Sequence, residues 1–198
     1  MLAKLSVPPP AAGVSPCPYH WTVDSFSRAL DAAAFGLWPR VELVRGVIIE
    51  HDGQTPRHAF TGGHIAGILR AALEPRLMVR EVSPIHISVD TEPDTDVLVV
   101  TGGINDYRER HPGPADVVIL VEIADSSTEY DLGEKALLYA EAGIADYWVV
   151  LPDENAVIVH RNPTAEGYGS VTTLGVGDTI SPLAVPEAVL PMRELLAL

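Results

Sequence analysis

Apolar side chains recur at helical spacing in four stretches of the chain, and capping residues mark where these stretches begin or end. Proline at a first helical position, as at residue 56, loses no hydrogen bond that it would have made. The predicted helices cover 22–35 with Thr22 or Asp24 as the cap, 55–73 with Thr55 and Pro56 at its start, 132–142 with Asp131 and Glu134 as a capping box and Gly143 at its end, and 192–196.

Short runs rich in β-branched and aromatic residues lie between these helices and are bounded by glycine, proline and asparagine. Arg45 and Gly46 separate two of the runs, which predicts a hairpin. The predicted strands cover 40–43, 47–50, 77–81, 85–89, 96–100, 117–121, 146–151, 156–160 and 168–174.

Glu122 stands directly after the apolar run 117–121, which predicts a strand covered on both faces. A carboxylate at this place must be protonated, paired or bound to a cation, because burying an unpaired charge is costly. The alternative to a metal role is a buried ion pair with an arginine.

The 198-residue chain fits one domain with a single core, and we expect a flexible proline-rich arm over 1–21 and one domain over 22–198. No segment has the pattern of a membrane span or a secretory leader, which predicts a soluble, cytoplasmic protein. The net charge of −14 argues against broad coating of duplex DNA, although it permits a local site. Cys17 is the only cysteine, so metal ligands must be oxygen or histidine.

Asp96 opens the apolar run 97–100, and adjacent strands would bring it to the same end of the sheet as Glu122. Two carboxylates so placed can share one divalent cation. Taken alone, Asp96 is typical of a turn residue that enters a strand. Glu50 and Asp94 are weaker candidates, because each sits at a strand end where solvation is ordinary.

A lysine two positions after Glu122 would lie on the same face of the strand, but this position is Ala124. Of the thirteen basic residues only Lys4 and Lys135 are lysines, which indicates that a compact amine is required at 135. The alternative is an Asp131–Lys135 surface pair worth about 0.3–0.5 kcal/mol. The residues alone favour neither interpretation.

The order of these elements resembles the Uma2 family (DUF820), which is assigned to the PD-(D/E)XK endonuclease-like superfamily. The resemblance extends from about residue 22 to the C-terminus and is most specific over 116–150. It rests on VELVRGVIIE at 41–50, TPRH at 55–58, EPDTDVLVV at 92–100, VEIADSST at 121–128, DLGEKALLYAEAGIADYWVV at 131–150 and GDTISPL at 177–183. Thr95 replaces the proline of the pattern, which affects turn geometry and not chemistry.

The resemblance implies an α/β (α+β) restriction-endonuclease-like core, with a central mixed β-sheet flanked by helices. It also implies Mg²⁺ or Mn²⁺ as the cofactor. His58 would orient a water or a carboxylate, although a capping or surface histidine is an equally good interpretation. The implied site consists of Asp96, Glu122 and the carbonyl of Ile123 as metal ligands, Lys135 in place of the absent lysine, Glu42 as a further acid, and His58.

The resulting hypothesis is an endonuclease that hydrolyses phosphodiester bonds of DNA, in which Lys135 eases formation of hydroxide and stabilises charge on phosphorus. Arg108 and Arg110 would contact the nucleic-acid backbone. By analogy with nucleases that cut in pairs we expect a homodimer. The alternatives are a non-catalytic descendant that binds nucleic acid or a protein, and an enzyme that acts on another phosphorylated substrate.

Overall fold

The computed structural model describes residues 17–36, 40–51 and 53–197 of the chain. Short 3₁₀ turns at Ile104–Tyr107 and Pro114–Asp116 lie in the loop that precedes the central strand. In chain order the elements are α1 (Val23–Asp31), β1 (Val41–Val44), β2 (Val47–Glu50), α2 (Pro56–Leu73), β3 (Met78–Pro84), β4 (Asp94–Val100), β5 (Val117–Ile123), α3 (Thr128–Tyr130, a π-helical turn Asp131–Lys135, and Ala136–Glu141), β6 (Asp146–Leu151), β7 (Ala156–Thr164), β8 (Gly167–Leu174), β9 (Thr179–Ile180), β10 (Leu190–Pro191) and α4 (Met192–Leu195).

Six strands form one mixed sheet in the order β3-β4-β5-β6-β7-β8. Strands β5 and β6 run parallel, and the other neighbours are antiparallel. A parallel pair needs a crossover connection, and here α3 supplies it. The predicted mixed sheet flanked by helices is therefore confirmed, and α3 is placed over the sheet.

The sheet is covered on both faces, which explains why β5 is apolar at every position except Glu122. Ile119, Val121 and Ile123 pack in one core with α2 and α4. Leu120 and Ala124 pack in a second core with α3. Because side chains alternate between the two faces of a strand, Glu122 lies on the same face as Leu120 and Ala124, and its carboxylate points towards α3.

The predicted hairpin is present as β1 and β2. Its turn residues Arg45 and Gly46 have φ values of 50° and 75°, the left-handed conformation that two-residue hairpin turns require. A Cβ atom at Gly46 would lie 2.3 Å from the ring of His20, so a larger residue would displace this ring. The chain before α1 thus packs against this turn.

Three predictions of local structure are wrong. Residues 85–89 form no strand, because the Ile85 amide donates to Pro93 and the Ile87 amide to Thr91 within a tight loop. The first helix ends at Asp31 and not at 35. The capping box at Asp131 is also wrong, because α3 begins at Thr128 and Asp131 lies buried inside it.

The predicted arm over 1–21 falls mostly on residues 1–16, which lie outside the described residues. Of its last residues, Trp21 donates its amide to Gly46 at 2.9 Å and His20 Nε2 lies 2.9 Å from Asp90 Oδ2. The division into an arm and one domain stays a prediction. Within the described part of the chain, no helix is long and apolar enough to cross a membrane.

Candidate functional site

A cleft of about 670 Å³ opens beside the ends of β4 and β5, between the β1–β2 hairpin, the start of α2 and α3. All five side chains that the sequence singles out line this cleft. They are Glu42, His58, Asp96, Glu122 and Lys135. The structure therefore brings together residues from five elements that are far apart in the sequence.

Strands β4 and β5 separate at the floor of the cleft. Their regular pairing runs as far as Val97 and Val121 and stops there. Beyond this point carboxylates accept the strand amides: the Asp96 amide donates to Glu122 Oε2 at 3.1 Å, and the Ile123 amide donates to Asp96 Oδ2 at 2.8 Å. The two carboxylates thus replace the next backbone hydrogen bonds between β4 and β5, which fixes both carboxylates relative to the backbone.

Glu122 is paired with Lys135 and not with an arginine. Lys135 Nζ lies 3.0 Å from Glu122 Oε1, and the Tyr139 hydroxyl donates to the same oxygen at 2.8 Å. Burial raises the pKa of Glu122 well above its usual range, Lys135 opposes this shift, and the carboxylate of Asp96 adds to it. A proton or a cation is therefore held at this carboxylate more readily than at an exposed one.

Lys135 is only 5% exposed, so the alternative of an Asp131–Lys135 surface pair is wrong. Besides Glu122, its ammonium group contacts the carbonyl of Asp94 at 3.1 Å and Glu42 Oε2 at 3.4 Å. Burial lowers the pKa of Lys135, but Glu122, Glu42 and Asp131 outweigh burial and raise the pKa well above its usual range. Lys135 is therefore a buried cation with two hydrogen-bond acceptors and a second carboxylate at ion-pair distance.

Glu42 is a buried anion that joins the hairpin to the rest of the site. It accepts from the Asp94 amide at 3.0 Å and the Tyr130 hydroxyl at 3.0 Å, and His51 Nε2 lies 3.1 Å away. Burial alone would raise the pKa of Glu42, but Lys135, His51 and Tyr130 together lower it. These contacts hold the Glu42 carboxylate beside the Lys135 ammonium group, on the side away from Glu122.

His58 contacts Asp96, the first of the two predicted metal-ligating acids along the chain. Its Nε2 lies 3.1 Å from Asp96 Oδ2. The hydrogen bond to Asp96 raises the pKa of His58, and burial opposes it. The Nδ1 atom is buried and has no hydrogen-bond partner among the described residues. Of the two interpretations of His58, orientation of a carboxylate is the one that this contact supports.

Carboxylates outnumber lysine and arginine side chains in the cleft. Burial raises the pKa of both Asp94 and Asp131, and Glu42 raises that of Asp94 further. The expectation of ordinary solvation at Asp94 is therefore wrong. The lining contains one lysine, Lys135, and one arginine, Arg40. It contains seven carboxylates, which are those of Glu42, Glu50, Asp94, Asp96, Glu122, Asp125 and Asp131.

These donors fit a hydrated divalent cation. Within residues 17–36, 40–51 and 53–197, no three His, Cys, Asp or Glu side chains stand as a preformed metal cage. Mg²⁺ seldom needs such a cage, because it keeps several waters and binds through one or two carboxylates and the phosphates of the substrate. The carboxylates of Asp96 and Glu122, which lie together at the ends of β4 and β5, are ligands of this type.

Other predicted residues are placed less favourably. The carbonyl of Ile123 accepts the amide of Asp125 at 3.1 Å, which leaves one lone pair for a further ligand. Arg110 pairs with Asp116 at 2.6 Å, Arg108 lies 3.5 Å from Glu109, and neither arginine lines the cleft. Their predicted contact with a nucleic-acid backbone therefore has no support from the geometry.

Sequence reasoning missed several residues of the site. Tyr139 follows Lys135 by one helical turn, and this spacing could have identified it. Tyr130 and His51 carry no comparable signal, because only the folded chain brings them to Glu42. Arg40 and Val82 also line the cleft.

Comparison with known proteins agrees with the fold. The model of the Uma2 family, described as "putative restriction endonuclease", matches residues 24–193. A solved structure of a putative nuclease belonging to DUF820 from Anabaena variabilis ATCC 29413 is similar, with 16% identity and a TM-score of 0.69 over 89% of this chain and 98% of that one. No curated protein matches. Since the family model spans most of the chain, this protein belongs to the Uma2 family.

Proposed function

We propose that the protein is a metal-dependent endonuclease that hydrolyses phosphodiester bonds of DNA. The observation that carries this proposal is the cleft with seven carboxylates and one buried lysine. A phosphodiester is an anion, so such a cleft would repel it unless a cation balances the carboxylates. Membership of a family whose description names restriction endonucleases adds support.

In this proposal Asp96, Glu122 and the carbonyl of Ile123 hold Mg²⁺ or Mn²⁺. When bound, such a cation polarises a phosphate oxygen and lowers the pKa of a bound water. The two carboxylates are already oriented, because each accepts a hydrogen bond from a strand amide. Preorganised ligands of this kind cost little reorganisation when the substrate enters.

The other side chains hold charge and position. His58 fixes one oxygen of Asp96 through its Nε2 contact. Lys135 acts as the migrated catalytic lysine: it favours the ionised form of Glu122 and contributes positive charge beside the phosphate as negative charge grows. Glu42 keeps the ammonium group in place from the other side.

The test is cleavage of supercoiled plasmid and of labelled oligonucleotides with Mg²⁺, with Mn²⁺ and with EDTA. Glu122→Gln keeps the size of the side chain and removes its charge, while exposed Glu187→Gln is the matched control. We expect metal-dependent cleavage, lost about a hundredfold or more in Glu122→Gln and retained in the control. Equal cleavage by Glu122→Gln and wild type, or cleavage that survives EDTA, would contradict the proposal.

A second candidate is a non-catalytic protein that binds nucleic acid or a protein partner. It is favoured by Ala124 at the lysine position and by the contacts that already engage the Lys135 ammonium group. In that case the wild type would bind DNA or the partner without cleaving any substrate. The predicted homodimer and cytoplasmic location belong to the proposal as well, and light scattering of the purified protein tests the former.

A further inference from the structure

Val82 has a backbone conformation that its side chain disfavours. Its φ is +44°, in the left-handed region, where a β-branched residue is an outlier. The other non-glycine residues with positive φ among the described residues are alanine, arginine or asparagine, so Val82 is the only β-branched one in the part of the chain that the structure describes. Asparagine or glycine would adopt this conformation with less strain.

This outlier lies next to the proposed metal ligands. In β3 the regular pairs are Glu81 with Val97 and Ser83 with Thr95, and the ladder skips the position where Val82 faces Asp96. Its neighbour Ser83 is held in place, because Arg80 Nε donates to its hydroxyl at 2.9 Å. The surrounding strand thus fixes the strained residue at the floor of the cleft.

The side chain of Val82 does not pack in the core. It is 63% exposed and lines the same cleft as Asp96, Glu122 and Lys135. Strain at a site of this kind persists only where the surrounding structure imposes it, and it is concentrated where ligands bind. An apolar group held among carboxylates has the chemistry to contact an apolar part of the substrate.

We infer that Val82 is a specificity residue that packs against an unstacked nucleobase next to the scissile phosphate. This inference rests on the proposed function. The apolar surfaces of a nucleic acid are its base faces, and apolar side chains are used by other proteins as wedges at base steps. A base face is accessible to one side chain only where the base is unpaired or splayed.

The charge and size of the site agree with this substrate class. The net charge of −14 argues against tight, extended phosphate contact with a duplex, so we expect another source of affinity. A cleft of about 670 Å³ is in the range of pockets that take a small molecule, so it has room for a single nucleotide unit. The substrate would therefore be DNA with unpaired bases, such as a single strand or a mismatched duplex.

The experiment measures binding of fluorescein-labelled DNA by anisotropy, with Ca²⁺ in place of Mg²⁺, for a single strand, a duplex with a central mismatch and a fully paired duplex. Val82→Asn and Val82→Gly suit the left-handed backbone and remove the apolar group. Val82→Ile retains that group. Val89→Asn is the matched control, because Val89 is 70% exposed and lies outside the cleft lining.

Val82→Asn and Val82→Gly should weaken binding of the single strand and of the mismatched duplex by about fivefold to tenfold. Val82→Ile and Val89→Asn should bind as the wild type does. The factor should be equal at low and high salt, because an apolar contact releases no counterions. Wild-type affinity in Val82→Asn, or a loss that disappears at high salt, would overturn the inference. If the wild type cleaves DNA and Val82→Asn binds normally, only the inference fails; if the wild type neither binds nor cleaves, the proposed function fails with it.

Discussion

Replacement of Lys135 by methionine tests whether the buried charges of the site depend on one another. The substitution keeps most of the volume and removes the ammonium group that lies 3.0 Å from Glu122 and 3.4 Å from Glu42. At an effective dielectric constant of about 20, each attraction is roughly 5 kcal/mol. Burying the ammonium group costs several kcal/mol in the wild type, and this cost offsets part of the contribution that the attraction makes to the unfolding free energy.

The loss left after this compensation is about 3–5 kcal/mol of unfolding free energy, the usual cost of a buried charge deprived of its partner. Urea denaturation followed by circular dichroism in the presence of EDTA measures it. Arg76→Met is the control, because its pair with Glu187 is exposed on both sides and is worth at most about 1 kcal/mol. The double variant Glu122→Gln with Lys135→Met should lose less than the two single losses added together. A loss below about 1 kcal/mol in Lys135→Met, equal to the control, would refute this account of the site.

Three further predictions concern metal, pH and the core. Excess Mn²⁺ should raise the unfolding free energy of the wild type by about 2.7 kcal/mol at one hundred times its Kd. EDTA should reverse this gain. An equal gain in Asp96→Asn would contradict the assignment of Asp96 as a metal ligand. Burial lowers the pKa of His160 below its ordinary value of about 6.5, so the folded state binds this proton less readily than the unfolded chain, and stability is lost as the pH falls from about 6.5 through the lowered pKa, by at most about 1.4 kcal/mol per unit. His160→Gln should therefore flatten this part of the denaturation profile, and an unchanged slope would show that His160 does not cause it. Leu69→Ala, at a fully buried position, should cost about 2–5 kcal/mol, whereas Leu137→Ala, at a position 38% exposed, should cost clearly less; equal losses would contradict the assigned core.

The strands that the sequence predicted best are those whose pattern is dictated by burial alone. Strand β5 is apolar at each position from 117 to 121, because α2 and α3 cover opposite faces of the sheet. Residues 85–89 also alternate in the manner of a strand, but no neighbouring strand is available to them. Alternation describes which side chains are buried, whereas a strand also needs a partner for its amides.

Local signals predicted α3 but not its start or its π-helical turn. The spacing of Asp131 and Glu134 fits a capping box, and tertiary contacts override it. Asp131 is buried, its side chain contacts Ser127, and its carbonyl accepts the Tyr147 hydroxyl at 2.9 Å. A π-helical turn changes the direction of the following side chains and is frequent at functional sites. Here this turn includes Lys135.

The acids of the site could be predicted because a carboxylate after a buried strand needs a partner. Which partner Glu122 has could not be predicted, because thirteen residues separate it from Lys135 and only the parallel β5–α3–β6 crossover superimposes them. The environment of Glu42 depends in the same way on contacts between distant segments. Sequence reasoning therefore predicted side chains that line the cleft, and the topology of the sheet determined their contacts.

In the proposed function, Asp96 and Glu122 act together as one metal-dependent centre for phosphodiester hydrolysis. The most direct test is the single-turnover rate of DNA cleavage with Mg²⁺ for Asp96→Asn, Glu122→Gln and the double variant, each confirmed as folded by circular dichroism. If the two carboxylates form one centre, each single variant loses about a hundredfold or more and the double variant loses little beyond that. Single variants that cleave as fast as the wild type, or losses that multiply fully in the double variant, would contradict it.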